Sequence, residues 1–192
     1  RQVKGLHSTK AADLDFSEQQ LREDSGLLDG VSTLGTGSIL DRIWTKPSIT
    51  VIGIDAMSVP MSSNTLLPSV KSKISMRIAP GQDPQDALGL LRAHLEKHVP
   101  FGARLTYGEV ELGKPFEASS SGWAKKLAES SLSAAFGNDS VDIGIGGSIP
   151  FIADLLEVFP AAQILVTGVE DADSRAHSPN ESVHVDTLRG AM

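Results

Sequence analysis

The sequence contains no cysteine, which excludes disulfides, thiolate metal sites and thiol nucleophiles together. Aromatic residues make up only 5% of the 192 residues, so little material is available for stacking nucleic-acid bases. The 17 Lys and Arg are outnumbered by 24 Asp and Glu, and the resulting net charge of −7 disfavours a nucleic-acid groove. No apolar run approaches the roughly 20 residues of a membrane span, and no signal peptide is recognisable. We therefore expect a cytoplasmic protein whose partners include neither nucleic acid nor membrane.

The first half of the chain is predicted to form a small α+β unit after a polar, turn-rich segment that ends near residue 47. Residues 48–57 are β-rich and almost continuously apolar, and residues 70–79 alternate apolar and polar side chains. Asp83 and Pro84 then have the residue types of a helix N-cap and first helical position. With a further strand at 103–112, the pattern predicts a two-layer sandwich of an antiparallel sheet and helices.

The second half predicts a different architecture beyond a hinge at 113–115, which gives domains 1–113 and 114–192. A helix carrying Trp123 and Leu127 precedes a strand at 141–145, a helix at 149–159 and an apolar strand at 164–169. Strand, helix and strand of these lengths are typical of a parallel βαβ unit. Because carboxyl ends of parallel strands share one sheet edge, the 146–148 turn and the 170–181 loop should converge there.

The turn Gly146-Gly147-Ser148 opens a helix and suits an anionic ligand, although a purely structural turn explains it equally well. Ile149 replaces the third glycine of a dinucleotide fingerprint, and Pro150 replaces the last glycine of a nucleophile elbow. The five residues alone therefore leave both interpretations open.

Three further candidate functional sites can also be explained without a functional role. His177 lies in a loop dense with carboxylates, where a metal or catalytic histidine is placed, but a lone loop histidine is more often solvated. Arg77 projects from the polar side of the clearest strand and could clamp a carboxylate, although most such arginines are solvated. His94 and His98 share a helix face, but Glu96 stands one place late for a zinc-protease motif.

Three segments in order carry a family resemblance: NTLLPSVKSKISMRIAPGQDP at 64–84, GIGGSIPF at 144–151 and TGVEDADSRAHSPNES at 167–182. They resemble the carnosinase-like dipeptidases of the zinc exopeptidase superfamily that also contains acetylornithine deacetylase and succinyl-diaminopimelate desuccinylase. The resemblance runs from about residue 20 to the last residue. It implies a lid and dimerisation domain inserted into an α/β catalytic domain that holds two zinc ions.

Residue by residue, the resemblance makes His177 a zinc ligand and Arg77 the group that holds the terminal carboxylate of a substrate. It places Thr65 against the substrate from the lid, and Gly146, Gly147 and Ser148 along the substrate pocket. The other ligands of that family, its general base and the first strand and helix of its lid have no counterpart here. Both ends of the chain look cut, and the expectation is a fragment that retains no catalytic residue and binds no zinc by itself.

These inferences lead to one preferred function and two alternatives. The full-length protein is expected to hydrolyse dipeptides or similar small amides with a free carboxylate, as a homodimer joined through its lid. A stand-alone binding and dimerisation module without catalysis is the first alternative. A serine hydrolase using Ser148 and His177 is the second, and it is disfavoured because the nucleophile elbow is missing.

Overall fold

A computed structural model of the chain describes residues 3–6, 11, 14–116, 118, 121–144 and 150–192. Five α-helices and two strands span these residues, with single turns of π or 3-10 helix at Asp41–Thr45, Val59–Met61 and Pro100–Gly102. The helices are α1 (Glu18–Ser25), α2 (Pro84–His98), α3 (Trp123–Phe136), α4 (Pro150–Val158) and α5 (Val185–Ala191), and the strands are β1 (Ser48–Asp55) and β2 (Lys71–Arg77).

The strands β1 and β2 form an antiparallel ladder with a bulge at Ile52, where the register shifts between Val51 and Gly53. Residues directly opposite each other point to the same face of a sheet, so the ladder sorts its side chains. The apolar face carries Ile49 opposite Met76, Val51 opposite Ile74, and Ile54 opposite Ser72; the polar face carries Ser48 opposite Arg77, Thr50 opposite Ser75, Gly53 opposite Lys73, and Asp55 opposite Lys71. The alternation predicted for 70–79 is therefore confirmed over residues 71–77.

Side-chain caps start the helices where the sequence indicates. The hydroxyl of Ser17 accepts the Gln20 N–H at 3.1 Å and begins α1. The carboxylate of Asp83 accepts the N–H groups of Gln85 and Asp86 at 2.8 and 3.0 Å and begins α2. Each such cap satisfies N–H groups that have no partner inside the helix.

Three predicted strands are wrong for the described residues, because no ladder forms at 103–112, 141–144 or 164–169. The observed sheet has the two strands β1 and β2, so neither a larger lid sheet nor a parallel βαβ unit is present in this part of the chain. A strand exists only where a second strand supplies partners for its backbone N–H and C=O groups. The three segments have suitable residues but lack such a partner among the described residues.

Side chains nevertheless hold these segments to the helices. Tyr107 lies under the guanidinium of Arg92, whose Cζ is 4.9 Å from the ring centroid, and its hydroxyl donates to Glu96 at 3.4 Å. The side-chain oxygen of Gln163 accepts the Ala124 N–H at 3.0 Å and so supplies a cap for α3, whose own N-cap residue is Gly122. The extended segments are thus anchored at single points and not along their length.

Trp44, from the π-helical turn, packs against the segment that precedes the 146–148 turn. A Cβ added at Gly144 would lie 2.6 Å from the Trp44 Cβ and 3.4 Å from its Cα. Only a residue without a side chain fits this approach. The contact joins the two halves of the chain on either side of residue 113.

We predict that Gly144→Ala destabilises the fold by roughly 1–3 kcal/mol, because the methyl group forces Trp44 out of its position. Urea unfolding followed by tryptophan fluorescence measures the change. Gly168→Ala is the matched control, since nothing lies within 4 Å of a Cβ at that position. Equal stability of the two variants would show that Trp44 does not pack there in solution.

Candidate functional site

The loop at 170–182 follows the apolar segment 164–169 and carries His177. Every residue from 170 to 182 is exposed except Ser174, which retains only 2% of its accessible surface. A buried serine in an otherwise exposed loop requires partners for its polar atoms. The loop is therefore organised around this side chain.

The Ser174 hydroxyl accepts the N–H of Asp171 at 2.9 Å and donates to the Asp171 Oδ1 at 2.9 Å. The same Oδ1 accepts the Asp173 N–H at 3.0 Å, and the Ser182 N–H donates to the Ser174 carbonyl at 3.0 Å. Bonds to both 171 and 182 close the loop at its base. The hydroxyl bond is the largest cause that lowers the pKa of Asp171 below its usual range, although desolvation opposes it.

The backbone between these two ties is strained. Arg175, His177 and Asn180 have φ values of 56°, 61° and 61°, in the left-handed region that non-glycine residues seldom adopt. The His177 N–H donates to Glu181 Oε2 at 3.3 Å, and the Ser178 N–H donates to the Arg175 carbonyl at 3.0 Å. Three strained residues in six positions persist only where the surrounding bonds hold them. The loop therefore presents His177 from a constrained backbone.

The described residues alone do not hold a metal ion. Across the ranges given above, no group of three or more His, Asp or Glu side chains, with or without His177, is arranged as metal ligands. The rings of His94 and His98 lie 4.3 Å apart, but His98 Nδ1 is engaged with the His94 carbonyl at 2.7 Å. Both contacts lie within one turn of helix α2.

The other predicted site residues are separate in the structure. Arg77 is exposed at the end of β2, and Thr65 is exposed in the turn that precedes it. No hydrogen bond or ion pair joins the side chain of either one to His177 or to another described residue. Gly146, Gly147 and Ser148 lie outside the described residues, so the predicted convergence of their turn with the 170–181 loop stays a prediction.

Sequence reasoning selected His177 but missed Asp171, Ser174 and Glu181, which shape its loop. A usable signal was present, because Asp and Ser three residues apart commonly form side-chain-to-backbone turns. This signal was difficult to recognise because the segment contains several other carboxylates.

Residues 4–103 match the family described as the M20 peptidase dimerisation domain. This match covers more than half of the chain, which therefore belongs to the M20 peptidase family. Helix α2 and the β1–β2 ladder lie inside the matched region, whereas the 170–182 loop lies beyond it.

Two curated relatives are dipeptidases. The chain is 28% identical over 185 residues to the cysteinylglycine-S-conjugate dipeptidase of Corynebacterium striatum, covering 94% of this chain and 41% of that protein. It is 26% identical over 180 residues to the Beta-Ala-His dipeptidase of Rattus norvegicus, covering 90% of this chain and 35% of that protein. The chain thus spans about two-fifths of the length of these relatives.

The fold is shared with the di-peptidase Dug1p of Saccharomyces cerevisiae. The two structures superpose with a TM-score of 0.77 at 22% identity, over 93% of this chain and 38% of Dug1p. This likeness concerns the fold alone, and it includes segments where the described residues form no ladder. Within those residues no helix combines the length and apolar character needed to cross a bilayer.

We predict that Ser174→Ala opens the 170–182 loop, since the bonds of its hydroxyl to Asp171 are lost. Amide exchange at Ser182 should become roughly fivefold faster or more, which corresponds to about 1 kcal/mol for one net hydrogen bond. Hydrogen exchange measured by NMR reports this residue by residue. Ser178→Ala is the control, because Ser178 is exposed and its side chain has no hydrogen-bond partner among the described residues. Equal exchange in both variants would contradict the assignment.

The same variant should alter the response of the loop to acid. The folded-state pKa of Asp171 lies below its unfolded value, so its carboxylate stabilises the loop fully above about pH 4. This contribution is lost as the pH falls through the folded-state pKa. In Ser174→Ala the Asp171 pKa should rise toward the ordinary aspartate range, as measured by carboxyl NMR titration. An unchanged value would show that the hydroxyl is not its main cause.

Proposed function

We propose that this chain is the lid and the C-terminal catalytic portion of a dinuclear zinc dipeptidase. The supporting observation is Arg77, an unpaired cation on the open polar face of the β1–β2 ladder, inside a peptidase dimerisation domain. Residues 1–113 correspond to the lid and residues 114–192 to part of the catalytic domain. The full-length enzyme hydrolyses dipeptides or similar small amides that carry a free carboxylate.

The exposed surface supports a larger assembly. A self-contained protein of 20.3 kDa exposes about 8,800 Å², by the usual scaling of surface with mass. This chain exposes 15,110 Å², and Val51 and Ile54 on the apolar face of β1 keep 53% and 66% of their surface. Such side chains are normally covered by another element. The missing cover is supplied, in this proposal, by further segments of the enzyme and by a second subunit at the lid.

The metal ions of the enzyme cannot be assigned to the described residues. A catalytic zinc requires around three protein ligands, and only His177 is proposed from this chain. Two zinc ions, when bound to the full-length enzyme, would supply an activated water and a polarised carbonyl. The residues present here serve binding: Arg77 holds the terminal carboxylate, Thr65 contacts the substrate, and Gly146, Gly147 and Ser148 line the pocket. No catalytic group is assigned, and the chain alone is inactive.

The same proposal makes the enzyme a cytoplasmic homodimer acting on small peptides. A stand-alone dimerisation module is the second candidate. It is favoured because the family match is to a dimerisation domain and covers residues 4–103. The two differ in what the natural full-length protein does, because a module would bind a partner without hydrolysing peptides.

We predict that Arg77→Ala in the full-length enzyme weakens transition-state binding of dipeptides by roughly 2–5 kcal/mol, because a charge-assisted clamp on the carboxylate is lost. The values of kcat/KM for a dipeptide and for its carboxamide measure the effect. The defect should largely vanish with the carboxamide. Arg104→Ala, at an exposed arginine outside the ladder, is the control. Equal losses on both substrates would make Arg77 a structural residue.

We also predict that the 192-residue chain retains no stoichiometric zinc after dialysis and cleaves no dipeptide, whereas the full-length protein binds about two zinc ions and is active. Elemental analysis and a dipeptide hydrolysis assay on both proteins measure this. Two zinc equivalents on the chain alone would refute its assignment as a partial enzyme. An inactive full-length protein without metal would favour the dimerisation module.

A further inference from the structure

Three cations lie on the polar face of the β1–β2 ladder, and two of them have no acidic residue directly opposite. Alternate positions of β2 on this face carry Lys71, Lys73, Ser75 and Arg77. Asp55 lies directly opposite Lys71, although the two side chains form no ion pair. Opposite Lys73 and Arg77 stand Gly53 and Ser48, which are uncharged.

The side chains of Lys73 and Arg77 make no ion pair and no hydrogen bond to any residue in the described part of the chain. The ion pairs that do form there join Lys114 to Glu157, Lys125 to Glu129 and Asp142, Arg22 to Glu18, and Arg189 to Asp186. Both Lys73 and Arg77 are exposed, so their charged ends are open to an anion from outside.

Small residues form the floor between the two cations. Ser75 lies between Lys73 and Arg77 along β2, and Thr50 lies opposite Ser75. Gly53, directly opposite Lys73, adds no side chain to this strip. The result is a flat hydroxyl-lined strip bounded by one positive charge at each end.

The spacing suits two carboxylates in one small molecule. Lys73 and Arg77 are four residues apart, which separates their Cα atoms by about 13 Å along a strand. Both side chains are long and flexible, so their charged ends can lean toward each other over the small floor. A ligand with two carboxylates a few bonds apart can then contact both ends, whereas a monocarboxylate satisfies only one.

We propose that Lys73 is a specificity-determining residue that selects dipeptides with an acidic side chain. This inference rests on the proposed function, in which Arg77 holds the terminal carboxylate of the substrate. Lys73 binds the second carboxylate, and the flat floor admits the chain between them. The enzyme therefore prefers Ala-Glu to the neutral isostere Ala-Gln.

The test compares kcat/KM for these two peptides in the full-length enzyme and in Lys73→Gln. The wild type should prefer Ala-Glu by about 10- to 100-fold, the range expected for one hydrogen bond to a charged group. Lys73→Gln should abolish this preference and leave hydrolysis of Ala-Gln within about twofold of wild type. Lys71→Gln, on the same face but opposite Asp55, should keep the preference.

A wild type without preference, or a preference that survives in Lys73→Gln, would overturn the inference while leaving the dipeptidase proposal intact. If the full-length protein cleaves neither peptide, the proposed function fails and the inference about substrate choice fails with it; binding to the 192-residue chain then tests only whether Lys73 and Arg77 together hold a dicarboxylate. In that arm the chain is titrated with glutarate and with 4-carbamoylbutyrate, monitored at the Arg77 side chain by NMR. Tighter binding of glutarate that is lost in Lys73→Gln supports the site, and equal binding of both ligands overturns it.

Discussion

The pairing of β1 with β2 is the interaction on which the rest of the matched dimerisation domain depends. Its bulge at Ile52 absorbs one residue, so Ile54 stays on the apolar face with Ile49 and Val51. Without that extra residue, Ile54 would move to the opposite face, since a one-residue slip reverses every side chain beyond it. The bulge thus keeps one face of the ladder for packing and leaves the other for charged residues, including Arg77.

The 170–182 loop is held in its conformation by a different kind of interaction. It buries almost nothing apart from Ser174, so its shape rests on short-range hydrogen bonds and not on a packed core. Those bonds hold His177 in a left-handed conformation that the residue would not choose by itself. A loop constrained in this way can keep a histidine at a fixed angle even though the neighbouring described segments form no ladder.

Structural features that depend on neighbouring residues were predictable from the sequence, whereas the pairing of strands was not. The alternation over 71–77 and the Asp83 cap that begins α2 depend on neighbours a few residues away, so patterns of two to four residues identify them. A strand at 103–112 or 164–169 depends instead on a partner strand, which no local pattern specifies. Ser174 was missed because nothing in a run of polar residues indicates which one of them is buried. Arg77 was identified by the family resemblance more than by its own surroundings.

The account holds that the polar face of the β1–β2 ladder is where the substrate carboxylate binds in the full-length enzyme. A crystal structure of that enzyme with an uncleaved dipeptide analogue tests this most directly. The account predicts the terminal carboxylate over the polar face, within hydrogen-bonding distance of the Arg77 guanidinium. A carboxylate bound elsewhere, with Arg77 pointing into solvent, would contradict it.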